Sequence, residues 1–208
     1  MIVTNQLRKT EGFRNNYKDI FFNPSGVSRV TFESDSFKGK IMSKALDIGC
    51  GLTPRNIFNA SEIFGIDSRG DVSDNIISAD LVVDPIPFPD DYFDFVSAVD
   101  FLEHIPRLVY APRRRNAFVE LMNEVWRVLK PNGIFLSFTP AYPHPGVFRD
   151  PTHVNFITDE TFTLYFDDVN RWAATHGYGF TGSFKILSQE LRGIHLQTLM
   201  KKVVINAA

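Results

Sequence analysis

Two of the chain's five histidines fall in the stretch HPGVFRDPTHVNFIT, His144 to Thr158, together with Asp150. An imidazole changes charge near neutral pH, and a carboxylate three residues away can orient the ring and raise its basicity. Asp150 and His153 therefore read as a candidate catalytic or acceptor-contacting pair. A plainer reading uses the same residues: Asp150 and Thr152 cap a turn, and His153 bonds the backbone locally. His104, in DFLEHIP, is a further candidate, either as a base or as a structural piece of a turn. His144, Asp150 and His153 could surround a divalent cation, but their spacing matches no strong ligand motif, and no metal site is expected.

A second set of residues is acidic. Asp47 lies near the end of KALDIG, a short apolar run closed by glycine, and Asp67, Asp84 and Asp100 each close one: EIFGID, DLVVD and FDFVSAVD. Aspartate favours strand-ending turns, which explains any one of these and less easily all four. The first run opens DIGCGLTP, in which Gly49 and Gly51 permit a tight turn and close approach of a ligand to the backbone. The dinucleotide fingerprint G-x-G-x-x-G fails, because its third glycine position is Pro54. A ring of carboxylates would also repel a pyrophosphate. It suits S-adenosylmethionine, which offers ribose hydroxyls, amines and a sulfonium cation and has no phosphate.

The elements that must carry these residues follow from periodicity. The four apolar runs predict strands at 44–48, 62–67, 81–83 and 93–99, with GIFLSFTP as a fifth. TPRNIFNA predicts a short helix, capped by Thr53 with Pro54 at its first position. In RNAFVELMNEVWRVLK, Phe118, Leu121, Met122, Val125 and Leu129 share one helical face, and Pro131-Asn132-Gly133 stops it. TDETFTLYFDDVNRWAATHG predicts another helix, with Thr158 or Asp159 as cap and Gly177 as stop. FTGSFKILSQELR and HLQTLMKKVVIN predict two final strands, antiparallel in direction. Residues 1–43 are polar and weakly periodic, an extension with at most one short helix. This alternation predicts an α/β fold: a Rossmann-like, doubly wound, seven-stranded, mostly parallel sheet with an antiparallel last strand, in three α/β/α layers. Ligands bind such sheets at the carboxyl ends of the strands, where the aspartates fall.

Composition sets outer bounds. A chain of 208 residues, 44% hydrophobic and 22% charged, suits one soluble globular domain. The net charge of −2 supplies no field toward nucleic acid or acidic membranes. The single cysteine, Cys50, excludes an internal disulfide and a cysteine metal cluster. The N-terminus lacks the apolar run of a signal peptide, and no stretch approaches a membrane span, so a cytoplasmic protein is expected. The twenty phenylalanines point to an aromatic core.

The segments ALDIGCG, FGID, DPIPFPDDYFDFVSAVDFLEHIPR and EVWRVLKPNGIFLSFTP, within residues 44–140, resemble class I S-adenosylmethionine-dependent methyltransferases. The closer resemblance is to the methyltransferase-11-like group, and within it to a subset with DPTH after the fifth strand. The resemblance implies one methyltransferase domain over residues 1–208, with 1–43 an extension or substrate cap, 44–140 the cofactor half and 141–208 the substrate side. It also implies roles by position. Asp47, Gly49 and Gly51 would line the methionine part of the cofactor, and Asp67 would take the ribose hydroxyls. Asp84 would meet the adenine amine, with Asp80 the substitute if the strand lies earlier, and the turn after Asp100 would close over the methionine end. Thr53 stands where many members have a third glycine.

The reaction implied is in-line methyl transfer to a hydroxyl or amine of a small molecule. Several members of the DPTH subset act on sugars or cell-surface precursors, which hints at that class. Nucleic acid is an unlikely acceptor. The base-methylating Asn/Asp-Pro-Pro-aromatic motif is replaced by VDFLEH, and Cys50 lies in the cofactor loop rather than in a Pro-Cys context. The basic run Arg113–Arg115 at the start of a helix hints at an anionic partner but reads better as a solvated face. Two other functions stay open: a cofactor-binding module without turnover, and a methyltransferase acting on RNA or protein. The sequence leaves the oligomeric state undetermined.

Overall fold

The computed structural model describes residues 17–23, 26–32, 42–69 and 75–204. Within residues 1–43, β1 (Tyr17–Asn23) and β2 (Gly26–Phe32) pair as an antiparallel hairpin, and the short helix allowed elsewhere in that extension lies outside the described residues. The remaining strands form one seven-stranded sheet: β3 (Lys44–Ile48), β4 (Glu62–Asp67), β5 (Ile76–Ser78), β6 (Phe93–Val99), β7 (Leu129–Pro140), β8 (Phe184–Arg192) and β9 (His195–Lys202). Their order is β5-β4-β3-β6-β7-β9-β8. The first five are parallel, and β9 runs antiparallel to both β7 and β8. The chain starts at β3, winds outward to β5, then crosses to β6 beside β3. That pair is the switch point where open α/β sheets bind ligands.

The expected fold class is the observed one, with local departures. Helix α1 (Ala117–Val128) buries Phe118, Leu121, Met122, Val125 and Val128 against one sheet face. Each such side chain contributes about 1.5–3 kcal/mol on burial. The helix ends at Val128, and β7 begins at Leu129, four residues before Gly133. The opposite face carries a smaller cluster in which Ile57 and Phe58 pack with Val99, Leu136 and Leu199.

Three expected elements are absent or displaced. No helix follows β3: residues 53–60 are loop, with Ile57 and Phe58 in a turn. The Asp47 carboxylate accepts the Arg55 N–H, and the Asn56 side chain bonds both the N–H and the carbonyl of Ala60, so side chains take the groups a helix would pair. Residues 81–83 are a turn rather than the third strand, which is the shorter Ile76–Ser78. There Asp80 Oδ1 accepts from the Val82 N–H and Asp84 Oδ2 from the Asp80 N–H, the local bonding that makes aspartate a turn former. The long helix expected after the DPTH loop is split into α2 (Asp159–Tyr165) and α3 (Trp172–Thr175). Between them the buried Asp167 carboxylate accepts the N–H groups of Val169, Asn170 and Arg171, and Arg171 adopts φ 53°. Among the described residues, no helix is long and apolar enough to cross a membrane.

Candidate active site

The cofactor candidates gather where β3, β4 and β6 end. Gly49 and Gly51 have φ of 69° and 68°, the left-handed region that favours glycine. A Cβ on Gly49 would lie 2.3 Å from the Phe101 ring, so the turn and the segment after β6 are in direct contact. The turn is tied to β4: the N–H groups of Gly49 and Cys50 donate to the Ile66 carbonyl, and that of Gly51 to Asp67 Oδ2.

Asp47 is fully buried, and both its carboxylate oxygens are taken. Ser97 Oγ donates to one at 2.8 Å and the Arg55 N–H to the other at 2.8 Å. Burial pushes its carboxyl up to about 6, against the opposing pull of those two bonds. Its place is behind the glycine turn, holding the loop to the sheet. Asp67 is also largely buried but strongly acidic. The Arg69 guanidinium donates to both its oxygens, at 2.7 and 3.0 Å, and holds its carboxyl down at about 2. Asp84 is exposed and lies in the turn after β5, not at a strand end. Asp80, two residues beyond Ser78, is the acidic group nearer the β5 terminus. Asp100 closes β6 with φ 51° and pairs with His195, its Oδ1 lying 2.9 Å from Nε2.

The catalytic candidates lie along the same edge. A cleft of about 480 Å³ is lined by residues that include Asp100, Glu103, His104, Asp150, His153 and His195. Sequence distance is bridged by one 3-10 turn, Leu102–His104, and by the DPTH loop docked on it. The Glu103 carbonyl accepts the N–H groups of both Val154 and Asn155. Asn155, fully buried, donates from Nδ2 to the Leu102 carbonyl and accepts from Arg107 Nε. His144 does not join the expected trio with Asp150 and His153; its Nδ1 accepts the Gly146 N–H in a local turn.

His153 is positioned differently from the sequence expectation. Its Nε2 lies 4.0 Å from Asp150 Oδ2, beyond hydrogen-bond range, whereas its Nδ1 lies 2.8 Å from the Val147 carbonyl. A carbonyl only accepts, so Nδ1 carries a proton, and in the neutral ring Nε2 holds the lone pair. Asp150 spends one oxygen on the Thr152 N–H and hydroxyl, the turn-capping arrangement, and those bonds lower its carboxyl below the usual range. His104 Nδ1 points to the Thr152 carbonyl and hydroxyl, at 3.3 and 3.0 Å. The two imidazoles meet edge to face with centroids 4.9 Å apart.

Two cleft residues escaped the sequence reading. Glu103 is 1% exposed, and its Oε2 accepts from Thr139 Oγ1 at 2.7 Å; burial raises its carboxyl. Its one signal was a charged residue between the apolar Leu102 and Ile105. His195 opens β9, and only the antiparallel direction of that strand, pairing Pro140 with His195, returns it to this edge.

Residues 46–137 match the family model described as a methyltransferase domain. No curated protein matches the chain. Solved structures share the fold at low identity. The PH0226 protein from Pyrococcus horikoshii OT3 is 17% identical with a TM-score of 0.53, over 79% of this chain and 84% of that one. A SAM dependent methyltransferase from Archaeoglobus fulgidus is 18% identical with a TM-score of 0.50, over 78% of this chain and 87% of that one. The [4+2]-cyclase SpnF is 18% identical with a TM-score of 0.50, over 78% of this chain and 75% of that one. Residues 46–137 thus resemble a methyltransferase domain, and the seven-stranded sheet is the Rossmann-like fold that the chain shares with these structures.

Proposed function

We propose that the protein transfers a methyl group from S-adenosylmethionine to a hydroxyl of a small, polar, sugar-like acceptor bound in the cleft between the turn after β6 and the DPTH loop. The observation that carries this reading is the pair of imidazoles facing that cleft, His104 and His153. Each has Nδ1 turned to a backbone carbonyl, and each therefore has Nε2 free to take a proton. An amine arrives with its own lone pair once deprotonated, whereas a hydroxyl needs its proton drawn off as the bond forms. The polar lining suits an acceptor rich in hydroxyls.

In this reading residues 1–208 form one domain, with the cofactor held by the 44–140 half and the acceptor approached from the 141–208 half. Gly49 and Gly51 let the methionine end come close, Asp67 takes the ribose hydroxyls, and Asp80 rather than Asp84 meets the adenine amine. The acidic edge fits a cationic donor lacking phosphate. When bound, S-adenosylmethionine supplies an electrophilic methyl: the acceptor oxygen gains it, the sulfonium S–C bond breaks, and the acceptor's proton is released. His153 holds its ring through Val147 and receives that proton at Nε2. Phe101, against Gly49, and Pro140, in the cleft wall, help exclude water.

A second reading keeps the cofactor and drops the transfer. SpnF shares this fold and is a [4+2]-cyclase, so the fold is compatible with a chemistry other than methyl transfer. Calorimetry with S-adenosylmethionine comes first; absence of binding would sink both readings. Transfer of labelled methyl to a panel of polyols and sugars then separates them. The expected result is transfer that falls at least tenfold in His153→Ala with cofactor affinity unchanged. Binding without transfer to any acceptor would favour the second reading, and undiminished transfer by His153→Ala would remove the imidazole from the mechanism.

A further inference from the structure

We infer that Glu103, His104 and His153 form a binding site for a first-row divalent metal ion. One ligand atom from each of the three lies within 4.8 Å of the other two. Ligands on a tetrahedral zinc ion at about 2.1 Å stand about 3.4 Å apart, so modest side-chain rotation closes the set.

Three independent features point the groups at a cation. The first is Glu103. It is 1% exposed, and while Oε2 accepts from Thr139, Oε1 has no hydrogen-bond partner among the described residues. A buried carboxylate with one bare oxygen is costly, and a bound cation compensates it directly.

The second is the shared orientation of the rings. His153 gives Nδ1–H to the Val147 carbonyl, and His104 gives Nδ1–H to the Thr152 carbonyl and hydroxyl. Thr152 Oγ1 in turn donates to Asp150 Oδ1, which leaves its lone pairs toward His104. Metal-bound histidines commonly make this outer hydrogen bond, which fixes the tautomer and leaves Nε2 as the donor atom. Two adjacent imidazoles held in the same tautomer by loop carbonyls are prepared as ligands.

The third is the surroundings. The cleft also presents the carboxylates of Asp100 and Asp150, and the ligand set leaves coordination positions open on that side. Two imidazoles and one carboxylate suit zinc, manganese, iron or cobalt better than magnesium, which prefers oxygen alone. The trio differs from the one the spacing suggested: Glu103 and His104 take the places of His144 and Asp150. Binding stands apart from methyl transfer, so it can hold or fail on its own. Were an ion bound while methyl transfer proceeds, it would supply Lewis-acid activation of the acceptor oxygen, and His153 would serve as its ligand in place of the base role proposed above.

The test uses cobalt(II) as the probe on the whole chain freed of metal by chelator. The expected result is one ion bound per chain, with visible d–d absorption, displaced by zinc and not by magnesium at equal concentration. Glu103→Gln and His153→Asn are each expected to weaken cobalt affinity at least tenfold while far-UV circular dichroism and melting stay close to wild type. A Val154→Ala control, on the loop but outside the ligand set, should bind as wild type. Absence of the d–d band, or affinity unchanged in both ligand variants, would overturn the site. Should a ligand variant unfold, protection of His104 and His153 together from diethyl pyrocarbonate by zinc in the wild-type protein reads the same contact. Labelling unaffected by zinc would equally overturn it.

Discussion

Asp47→Asn isolates the energetics of the carboxylate behind the glycine turn. In the folded chain this group is fully buried, and its carboxyl is raised to about 6 from an ordinary 3.8. A group raised on folding adds stability that is complete below its unfolded pKa and is lost as pH rises through its folded one. Wild type should therefore lose stability from this group between about pH 4 and pH 6. A shift of about 2 pK units corresponds to about 3 kcal/mol over that window. Asparagine cannot ionise, keeps the shape, and retains an oxygen for the Arg55 N–H. Its fixed cost from rearranged bonding to Ser97 is independent of pH. The difference between the two proteins thus moves in the variant's favour as pH rises from 4 to 7, while contributions from other titrating groups cancel. Urea unfolding at half-unit pH steps measures it. With a urea slope of about 2–3 kcal/mol per molar, the difference in midpoints should move by roughly 1–1.5 M across the window. A flat difference curve, or one sloping the other way, would refute the assignment of a buried, desolvated carboxylate at this position.

Three further outcomes follow from the same geometry. Gly49→Ala places a Cβ against the Phe101 ring at a φ of 69°, and should cost about 1–3 kcal/mol in denaturant unfolding and weaken S-adenosylmethionine binding in calorimetry. Arg69→Ala removes the guanidinium that covers Asp67 and should tighten cofactor binding severalfold; unchanged or weaker affinity would mean Arg69 does not stand in the cofactor's place. Asn155→Ala strips the buried tie between the DPTH loop and the Leu102 carbonyl, and should lower stability by about 1–3 kcal/mol with transfer falling alongside, read by melting and by the labelled-methyl assay.

Strands β3, β4 and β6 and helix α1 were legible because each writes its burial in a simple period. Phe118, Leu121, Met122 and Val125 recur at helical spacing, and KALDI and FDFVSAV are short runs in which apolar residues predominate. The third strand was misplaced because Leu81-Val82-Val83 is a better apolar run than Ile76–Ser78. Apolarity could not report that Asp80 and Asp84 bond the backbone between them, or that Val83 would be 55% exposed. Thr53 and Pro54 are good helix-start signals and no helix follows, because Asp47 and Asn56 capture the backbone groups first. The DPTH loop announced itself through residue types, which chemistry selects directly. Glu103 and His195 did not, since Glu103 meets His153 only where the DPTH loop docks on the turn after β6, and His195 reaches Asp100 only because β9 runs backwards from 95 residues beyond it. Local sequence carries no record of such a return.

The loop that replaces a helix after β3 leaves the glycine turn without a row of aligned peptide dipoles. A helix starting there would present about half a positive charge to whatever anion rested on it. Here the Gly49 and Cys50 N–H groups already serve Ile66, and the Gly51 N–H serves Asp67. The carboxylate of a bound amino-acid moiety must then find its counter-charge in side chains, and the exposed Arg55 is the cation nearest in sequence to that turn. Mobile guanidinium groups in water are screened by salt far more readily than a buried dipole. Capture of the cofactor by this protein should accordingly weaken with ionic strength, a trait that a helix-backed turn would suppress.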